Sequence, residues 1–298
     1  FVIPQSRCQV IYNGIRPVDS YLQTADREVE RAKLGYKPDD YVVLHIGTVS
    51  VRKGQLATAK AIAKLRAEGR GRRIKVLMVG DLKLNDMEKV TPAMYIDMIR
   101  EHLAQHDVSF AFFEETPEAR RGEATVTMMD VQSQVNRLYL AADAVVLPSL
   151  NEVLPMVLCE AMAFSRPVVS TSIDAIPEAV THGDNGFLVA PGDEGVPALA
   201  EHIEALSEDA ALAVRMGSAG RERVLRQFSL DVMGRAYRAV VDEIVCGGVS
   251  PLVAAAPTHA MATAGSAQAA AHTALLDAAP SASMAHATAS GMPLTKAA

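Results

Sequence analysis

Short apolar runs alternate along this chain with longer segments in which apolar residues recur every three or four positions. Runs of the first kind are typical of buried strands, and the longer segments are typical of helices with one apolar face. The pattern predicts strands at 42–46, 74–79, 108–113, 144–147, 167–170 and 186–189. It predicts helices at 53–66, 93–105, 131–141 and 155–163, then helical segments from 195 to 245. This alternation predicts an α/β fold with an open, doubly wound parallel sheet and a helical C-terminal segment.

The pattern ends near Gly247 and Gly248. Of the 46 residues from Val253 to Ala298, 19 are alanine, and the only Asp, Glu, Lys or Arg residues are Asp277 and Lys296. This composition lacks the large apolar side chains that build a core. We therefore expect one folded domain at 1–248 and a low-complexity, alanine-rich disordered tail at 249–298.

Bulk composition narrows the class of function. The net charge is −6 and the isoelectric point is near 5.8, which argues against a nucleic-acid binder. No run of about 18 apolar residues is present, so the sequence predicts no membrane span. Cys8, Cys159 and Cys246 are far apart and odd in number, which favours reduced thiols. We expect a location in the cytoplasm or at the cytoplasmic face of a membrane.

A glycine-containing turn carries two cations between the first strong strand and the first strong helix. It includes Gly47, Thr48, Arg52, Lys53 and Gly54. Backbone N–H groups and the positive end of the following helix attract a diphosphate, and a lysine beside them adds charge. An ordinary loop with a solvated Arg–Lys pair fits the same residues, because an isolated glycine-rich loop is a weak signal.

Two glutamates eight positions apart, Glu152 and Glu160, follow the fourth predicted strand. Eight residues is a little over two helical turns, so a loop and a helix can turn both carboxylates to one side. Glu160 lies in an apolar run, where a carboxylate needs a partner or a ligand. A ribose diol suits it, since a carboxylate accepts two hydroxyl protons. A loop acid and a helix acid that both face solvent remain the simpler alternative.

Other candidate residues have plainer explanations. His102 and His106 are spaced i, i+4, which a metal ion can use, but no third ligand accompanies them. We therefore expect no metal site. His45, inside a strand, and Cys159, beside Glu160, are expected to be buried core residues rather than catalytic ones.

A series of motifs runs in order through the second half of the chain: Leu138–Ser149, Glu152–Ala163, Arg166–Thr171, Ile176–Val180, Gly183–Val189 and Pro191–Asp193. Together they resemble the C-terminal domain of a family 4 (group 1) glycosyltransferase. The turn at Gly47–Gly54 resembles that family's phosphate loop, and Asn13–Gly14 resembles its interdomain strand. The resemblance implies the GT-B fold, in which two Rossmann-like domains face a cleft and the C-terminal one holds most of a nucleotide-sugar donor.

The resemblance also implies a reaction. A hexosyl group would pass from a nucleotide-diphosphate sugar to an unknown acceptor, with retention of configuration and without a metal ion or other cofactor. Glu152 would contact the donor sugar, Glu160 the ribose hydroxyls, and Lys53 the diphosphate leaving group. Fixed cations and N–H groups stabilise the charge that develops on such a leaving group. The implied donor site is completed by Gly47, Thr48, Arg52, Leu154, Pro155, Met156 and Val157.

The chain departs from the family pattern at several positions. Val-Leu-Pro follows Glu152 where the family usually has Gly-Phe-Gly. Thr48 stands where the family usually has arginine, and Arg52 beside Lys53 is a candidate replacement for that charge. Ser165 and Ala175 stand where the family usually has glycine. The sequence shows no counterpart of the N-terminal GT-B domain. We expect that domain in the full protein; a partner chain that supplies it, or a donor-binding remnant without it, stays open. We also expect residues 230–244 to expose apolar surface.

Two other functions stay open at this point. A non-catalytic nucleotide-sugar-binding module is favoured by Thr48 and the missing acceptor domain, and opposed by the retention of Glu152, Glu160 and Lys53. An epimerase of the same fold is a further alternative, which would turn over a ligand without any acceptor.

Overall fold

The computed structural model describes residues 8–80, 90–103, 108–112 and 128–246. Within these residues the core is a six-stranded, all-parallel sheet with the order β3-β2-β1-β4-β5-β6. The chain starts in the middle of the sheet, builds outward to β3, and then returns to continue from β4 on the other side of β1. The strands are β1 (Tyr41–Ile46), β2 (Ile74–Gly80), β3 (Val108–Phe112), β4 (Ala144–Leu147), β5 (Val168–Thr171) and β6 (Gly186–Val189).

Helices cover both faces of the sheet. Short 3₁₀ turns occur at Val51–Lys53 and Gly192–Gly195. The α-helices are α1 (Asp19–Thr24), α2 (Arg27–Lys33), α3 (Gln55–Ala67), α4 (Pro92–Leu103), α5 (Met128–Ala141), α6 (Met156–Ala163), α7 (Ile176–Ala179), α8 (Val196–Glu208), α9 (Ala210–Gln227) and α10 (Leu230–Cys246).

The α/β class and the doubly wound parallel sheet expected from the sequence are confirmed. All six predicted strands are present, with shifts of one residue at some ends. Helices α1, α2 and α7 were not predicted, since they are short and their apolar residues show little periodicity. The predicted tail after residue 248 and the polar segment 114–127 lie outside the described residues.

Both faces of the sheet are buried because its strands are apolar on both sides. In β1 all six residues are buried. Tyr41 and Val43 pack in the cluster beneath α3, α4 and α8, whereas Val42 and Leu44 pack in the opposite cluster beneath α5 and α6. A continuous apolar strand of this kind is typical of parallel sheets covered by helices on each side.

A buried ion pair fixes α2 to the amino ends of the central strands. Arg31, with a side chain that is only 2% exposed, donates to Asp143 at 2.9 Å. The same carboxylate accepts from the backbone N–H of Val42 at 2.7 Å. This network lies at the opposite end of β1 from the Gly47 loop, so it supports the sheet without approaching that loop.

Helix α10 carries apolar side chains that nothing covers among the described residues. Tyr237, Val241 and Ile244 are 55%, 54% and 77% exposed. Their spacing of four and three places them on one helix face. The apolar surface expected at 230–244 is therefore present. No helix in the described ranges is both long enough and apolar enough to cross a membrane.

Ser165 ends α6 in a conformation that glycine normally adopts. The N–H of Arg166 donates to the carbonyl of Ala161 at 3.0 Å, and the N–H of Ser165 donates to that of Met162 at 2.9 Å. This pair of bonds is the Schellman motif, which requires a left-handed residue after the helix. Ser165 is that residue, with φ of 55°. The glycine that the family usually has at this position would adopt this left-handed conformation without steric strain.

We expect Ser165→Gly to raise the free energy of unfolding by about 0.5–1 kcal/mol, because it removes left-handed strain at some cost in unfolded-chain entropy. Urea unfolding followed by circular dichroism measures the change. Ser165→Ala is the matched control, since it removes the hydroxyl but keeps Cβ, and it is expected to give no gain. Equal stabilisation by both variants would contradict the role of strain.

Candidate functional site

The candidate site lies where the order of the strands reverses. In doubly wound sheets, ligands bind outside the carboxyl ends of the strands at this point. Here the loop after β1 (47–54) and the loop after β4 (148–155) meet. The N–H of Leu150 donates to the carbonyl of Arg52 at 2.8 Å, and the Arg52 guanidinium donates to the carbonyl of Asn151 at 3.1 Å. Two segments about a hundred positions apart thus form one surface.

Close backbone packing makes this contact possible. Gly54 has φ of 75°, and a Cβ on it would lie 2.0 Å from the carbonyl oxygen of Pro148. A side chain at this position would therefore separate the two loops. The left-handed Gly54 also ends the 3₁₀ turn, so α3 begins at Gln55 and not at Lys53 as predicted.

Lys53 and Glu152 form the centre of the site. The Lys53 ammonium lies 2.5 Å from Glu152 Oε1, and the Arg52 guanidinium lies 3.4 Å from the same oxygen. Ser149 also donates its hydroxyl proton to that oxygen, at 3.0 Å. The Glu152 side chain is only 7% exposed. The structure therefore brings together three residues singled out from the sequence and adds Ser149, which sequence reasoning passed over.

The backbone of the Glu152 loop is held by a segment that follows β5. The Asp174 carboxylate accepts from the N–H of Glu152 at 2.9 Å, and the N–H of Ala175 donates to the carbonyl of Val153 at 3.2 Å. Asp174 has φ of 47°, a conformation that short polar side chains tolerate better than most. Asp174 was not predicted from the sequence; its one signal there is that it precedes Ala175, where the family pattern has glycine.

The Gly47 loop is held from inside by a buried side chain. Gln55 is 2% exposed and donates to the carbonyl of Thr48 at 2.9 Å and to that of Gly47 at 3.4 Å. Thr48 thus contributes a fixed backbone carbonyl to the loop, and the cations beside Glu152 come from Arg52 and Lys53.

Helix α6 points its N-terminus into the same loop region. It begins at Met156, and Pro155 is its N-cap, with no capping hydrogen bond from that side chain. The predicted helix start is thus one residue early. Because Pro155 has no N–H, the first free donors are those of Met156 and Val157, which follow Leu154 in the loop. A helix terminus of this kind favours an anion.

Glu160 lies in α6, one turn further along. Its Oε2 accepts the hydroxyl proton of Tyr139 at 2.7 Å. No side chain or backbone group in the described ranges donates to Oε1. One carboxylate oxygen is therefore occupied by the protein and the other is available to a ligand.

Cys159 and His45 are buried core residues, as predicted. Burial, followed by the Glu160 charge, raises the pKa of the Cys159 thiol to about 12. Burial, followed by the Lys53 charge, lowers the pKa of His45 to about 3, and its Nδ1 lies 2.9 Å from Thr58 Oγ1. Cys159 therefore stays a thiol near neutral pH and not the thiolate that nucleophilic catalysis needs. His45 is neutral but fully buried and only weakly basic, which does not suit a general base acting near pH 7.

The structure offers no metal site within its described ranges, where no three His, Cys, Asp or Glu side chains cluster. His102 Nδ1 lies 3.1 Å from the backbone carbonyl of Met98 in its own helix. His106, the second histidine of the i, i+4 pair, falls outside the described residues.

Comparison with known proteins identifies the family. A model of the glycosyl transferases group 1 matches residues 26–223. The chain belongs to this family. A D-inositol 3-phosphate glycosyltransferase of Corynebacterium aurimucosum is 29% identical over 213 residues, which cover 71% of this chain and 45% of that protein. The chain therefore spans less than half the length of this curated relative.

Solved structures show the same fold at low sequence identity. A glycosyltransferase from Rickettsia africae superposes with a TM-score of 0.65 and 21% identity, covering 83% of this chain and 59% of that one. An Anabaena protein crystallised in complex with UDP and glucose gives a TM-score of 0.62 and 22% identity, covering 78% and 56%. The Rossmann-like sheet of a GT-B domain expected from the sequence is thus confirmed.

The raised thiol pKa and burial of Cys159 lead to a simple labelling test. At pH 8, iodoacetamide is expected to alkylate the exposed Cys8 and to leave Cys159 unmodified, because only the thiolate reacts and Cys159 is fully buried. Peptide mass spectrometry measures both sites in one sample. In urea, Cys159 is expected to become labelled. Labelling of both cysteines at the same rate in the folded protein would contradict this assignment.

The lowered pKa of His45 leads to a pH dependence of stability. The folded protein keeps His45 neutral down to about pH 3, whereas the unfolded chain protonates it near pH 6.5. The free energy of unfolding is therefore not reduced by His45 protonation above pH 6.5. As the pH drops from there toward 3, protonation of His45 in the unfolded chain lowers it by up to about 1.4 kcal/mol per pH unit. Urea unfolding between pH 7 and 4 is expected to show a shallower loss for His45→Asn than for the parent. Parallel curves would contradict a buried, neutral His45.

Proposed function

We propose that this chain is the donor-binding domain of a retaining hexosyltransferase that uses a nucleotide-diphosphate sugar without a metal ion. The observation that carries this proposal is the meeting of Lys53, Arg52 and Glu152 at the sheet's switch point, within 2.5 to 3.4 Å. The family match supports the reaction class. The site thus has the chemistry that a diphosphate leaving group needs: fixed cations and a helix N-terminus.

In this proposal the diphosphate binds between Lys53 and the N–H groups of Met156 and Val157. Departure of the sugar leaves negative charge on the terminal phosphate, and a cation and helix amides already in place stabilise it. Arg52 supplies the second positive charge, from a position four residues after Thr48. Such a site replaces the charge that a metal ion would otherwise bring.

The two glutamates bind different parts of the donor, the sugar and the ribose. Glu152, in the loop, contacts the sugar, and Glu160, in α6, binds the ribose diol through its available oxygen. The Anabaena structure contains UDP, which makes uridine the first base to test here. The acceptor is bound by an N-terminal GT-B domain, for which the exposed apolar face of α10 is a packing surface.

A second candidate is a binding module without transfer activity. The observation that favours it is Thr48, which leaves the loop without a cation in the family's usual position. The 3.4 Å approach of Arg52 to Glu152 weighs against it, because that cation reaches the same carboxylate as Lys53.

Calorimetric titration of the full chain with UDP, GDP and ADP, with and without Mg²⁺, tests the proposal. One nucleotide is expected to bind with the same affinity in both conditions. Lys53→Ala is expected to weaken that binding about tenfold or more, which corresponds to about 1.4 kcal/mol. Glu160→Ala is expected to weaken it by a similar factor through loss of the ribose contact. Absence of binding by the folded protein would refute a competent donor site.

Glu152→Gln is expected to act with the opposite sign on free nucleotide. It removes the anion that pairs with Lys53 and Arg52, so the diphosphate meets two uncompensated cations and binds several-fold more tightly. The same titration measures the change. Glu178→Gln, in α7 and hydrogen-bonded to Tyr12, is a matched glutamate control and is expected to leave nucleotide affinity unchanged. Weaker nucleotide binding by Glu152→Gln would contradict the assigned position of the diphosphate.

A further inference from the structure

Tyr139 is a buried, titratable residue that the proposed reaction does not use. It lies in α5, is 0% exposed, and directs its hydroxyl to Glu160 Oε2 at 2.7 Å. Nothing in the family match or in the donor chemistry assigns it a task. Among the described residues, its hydroxyl has one hydrogen-bond partner, and that partner is the carboxylate proposed to bind ribose.

The Tyr139 ring is held in place by aromatic packing. It stacks on Phe164, with ring centroids 5.6 Å apart and planes inclined by 25°. Phe164 caps the C-terminus of α6, and its N–H donates to the carbonyl of Glu160 at 3.2 Å. The hydroxyl and the carboxylate are thus carried by two elements that are packed against each other.

The direction of the Tyr139 hydrogen bond is fixed by its surroundings. Burial, followed by the Glu160 charge, raises the pKa of Tyr139 well above its usual value. The hydroxyl therefore stays protonated and donates, and Glu160 accepts. Glutamate has three side-chain torsions, so a single fixed donor removes much of the freedom of its carboxylate.

We propose that Tyr139 is a positioning residue for ribose recognition: by holding Oε2 of Glu160, it directs Oε1 toward the ribose diol of the donor. This inference rests on the proposed function and adds a specificity to it. Selection of a ribonucleotide over its deoxy analogues depends on where that one oxygen lies, because a hydroxyl contributes only when its acceptor is within hydrogen-bond distance.

The test compares affinities for a ribonucleotide and its analogues. The probe is whichever of UDP, GDP and ADP binds best, together with its 2′-deoxy and 3′-deoxy forms, titrated into the full chain. The parent protein is expected to prefer the ribonucleotide by about tenfold. Tyr139→Phe keeps the stacked ring but loses the donor, and we expect its preference to fall to about threefold or less.

The matched control is Tyr41→Phe. The Tyr41 hydroxyl is also buried, and no group in the described part of the chain pairs with it. Removal of the Tyr41 hydroxyl is expected to leave the ribose preference unchanged. This control shows whether the effect of Tyr139→Phe comes from the lost hydrogen bond to Glu160 or from the loss of any buried hydroxyl. Phe164→Leu removes the ring that stacks on Tyr139 but keeps both hydrogen-bonding groups, and we expect an intermediate preference.

Each outcome decides between the two proposals. If the parent binds a ribonucleotide selectively and Tyr139→Phe keeps the full preference, the positioning role is wrong and the donor site stands. If Tyr139→Phe does not fold, Phe164→Leu decides, and an unchanged preference there overturns the inference. If the folded parent binds none of the three nucleotides, the proposed function fails and the inference fails with it.

Discussion

The contact between Lys53 and Glu152 is the interaction on which the site depends. It joins the loop after β1 to the loop after β4 at 2.5 Å. These two parallel strands are neighbours because the order of the strands in the sheet reverses at β1. The glycine at position 54 allows the backbones to approach, and Asp174 anchors the Glu152 loop from the third side. Sheet topology, backbone packing and charge thus all favour the placement of Lys53 beside Glu152.

The same contact pairs the charges of the site without a ligand, and it is compatible with the diphosphate binding that we propose. A carboxylate that is 7% exposed would be costly without a partner, and Lys53 with Arg52 provides two. An incoming diphosphate offers those cations an alternative anion, so binding exchanges one ion pair for another and does not require a charge to be buried anew. In the proposed donor complex, Glu152 then turns to the sugar.

The sequence predicted the sheet well because its strands are continuous apolar runs, which depend little on tertiary context. It also predicted that Glu152, Lys53 and Arg52 belong to one site. It did not predict Asp174 or Tyr139, because their roles come from hydrogen bonds to residues 22 and 21 positions away that no local pattern encodes. The start of α3 was misplaced for a similar reason: Gly54 is left-handed and lies against Pro148, a contact that no local pattern in the sequence reveals.

The most direct test of this account is a crystal structure of the chain with its preferred nucleoside diphosphate. We expect the terminal phosphate within hydrogen-bond distance of the Lys53 ammonium and the N–H groups of Met156 and Val157, with the ribose against Glu160. A nucleotide with its phosphates elsewhere, or with Lys53 still paired only to Glu152, would contradict it.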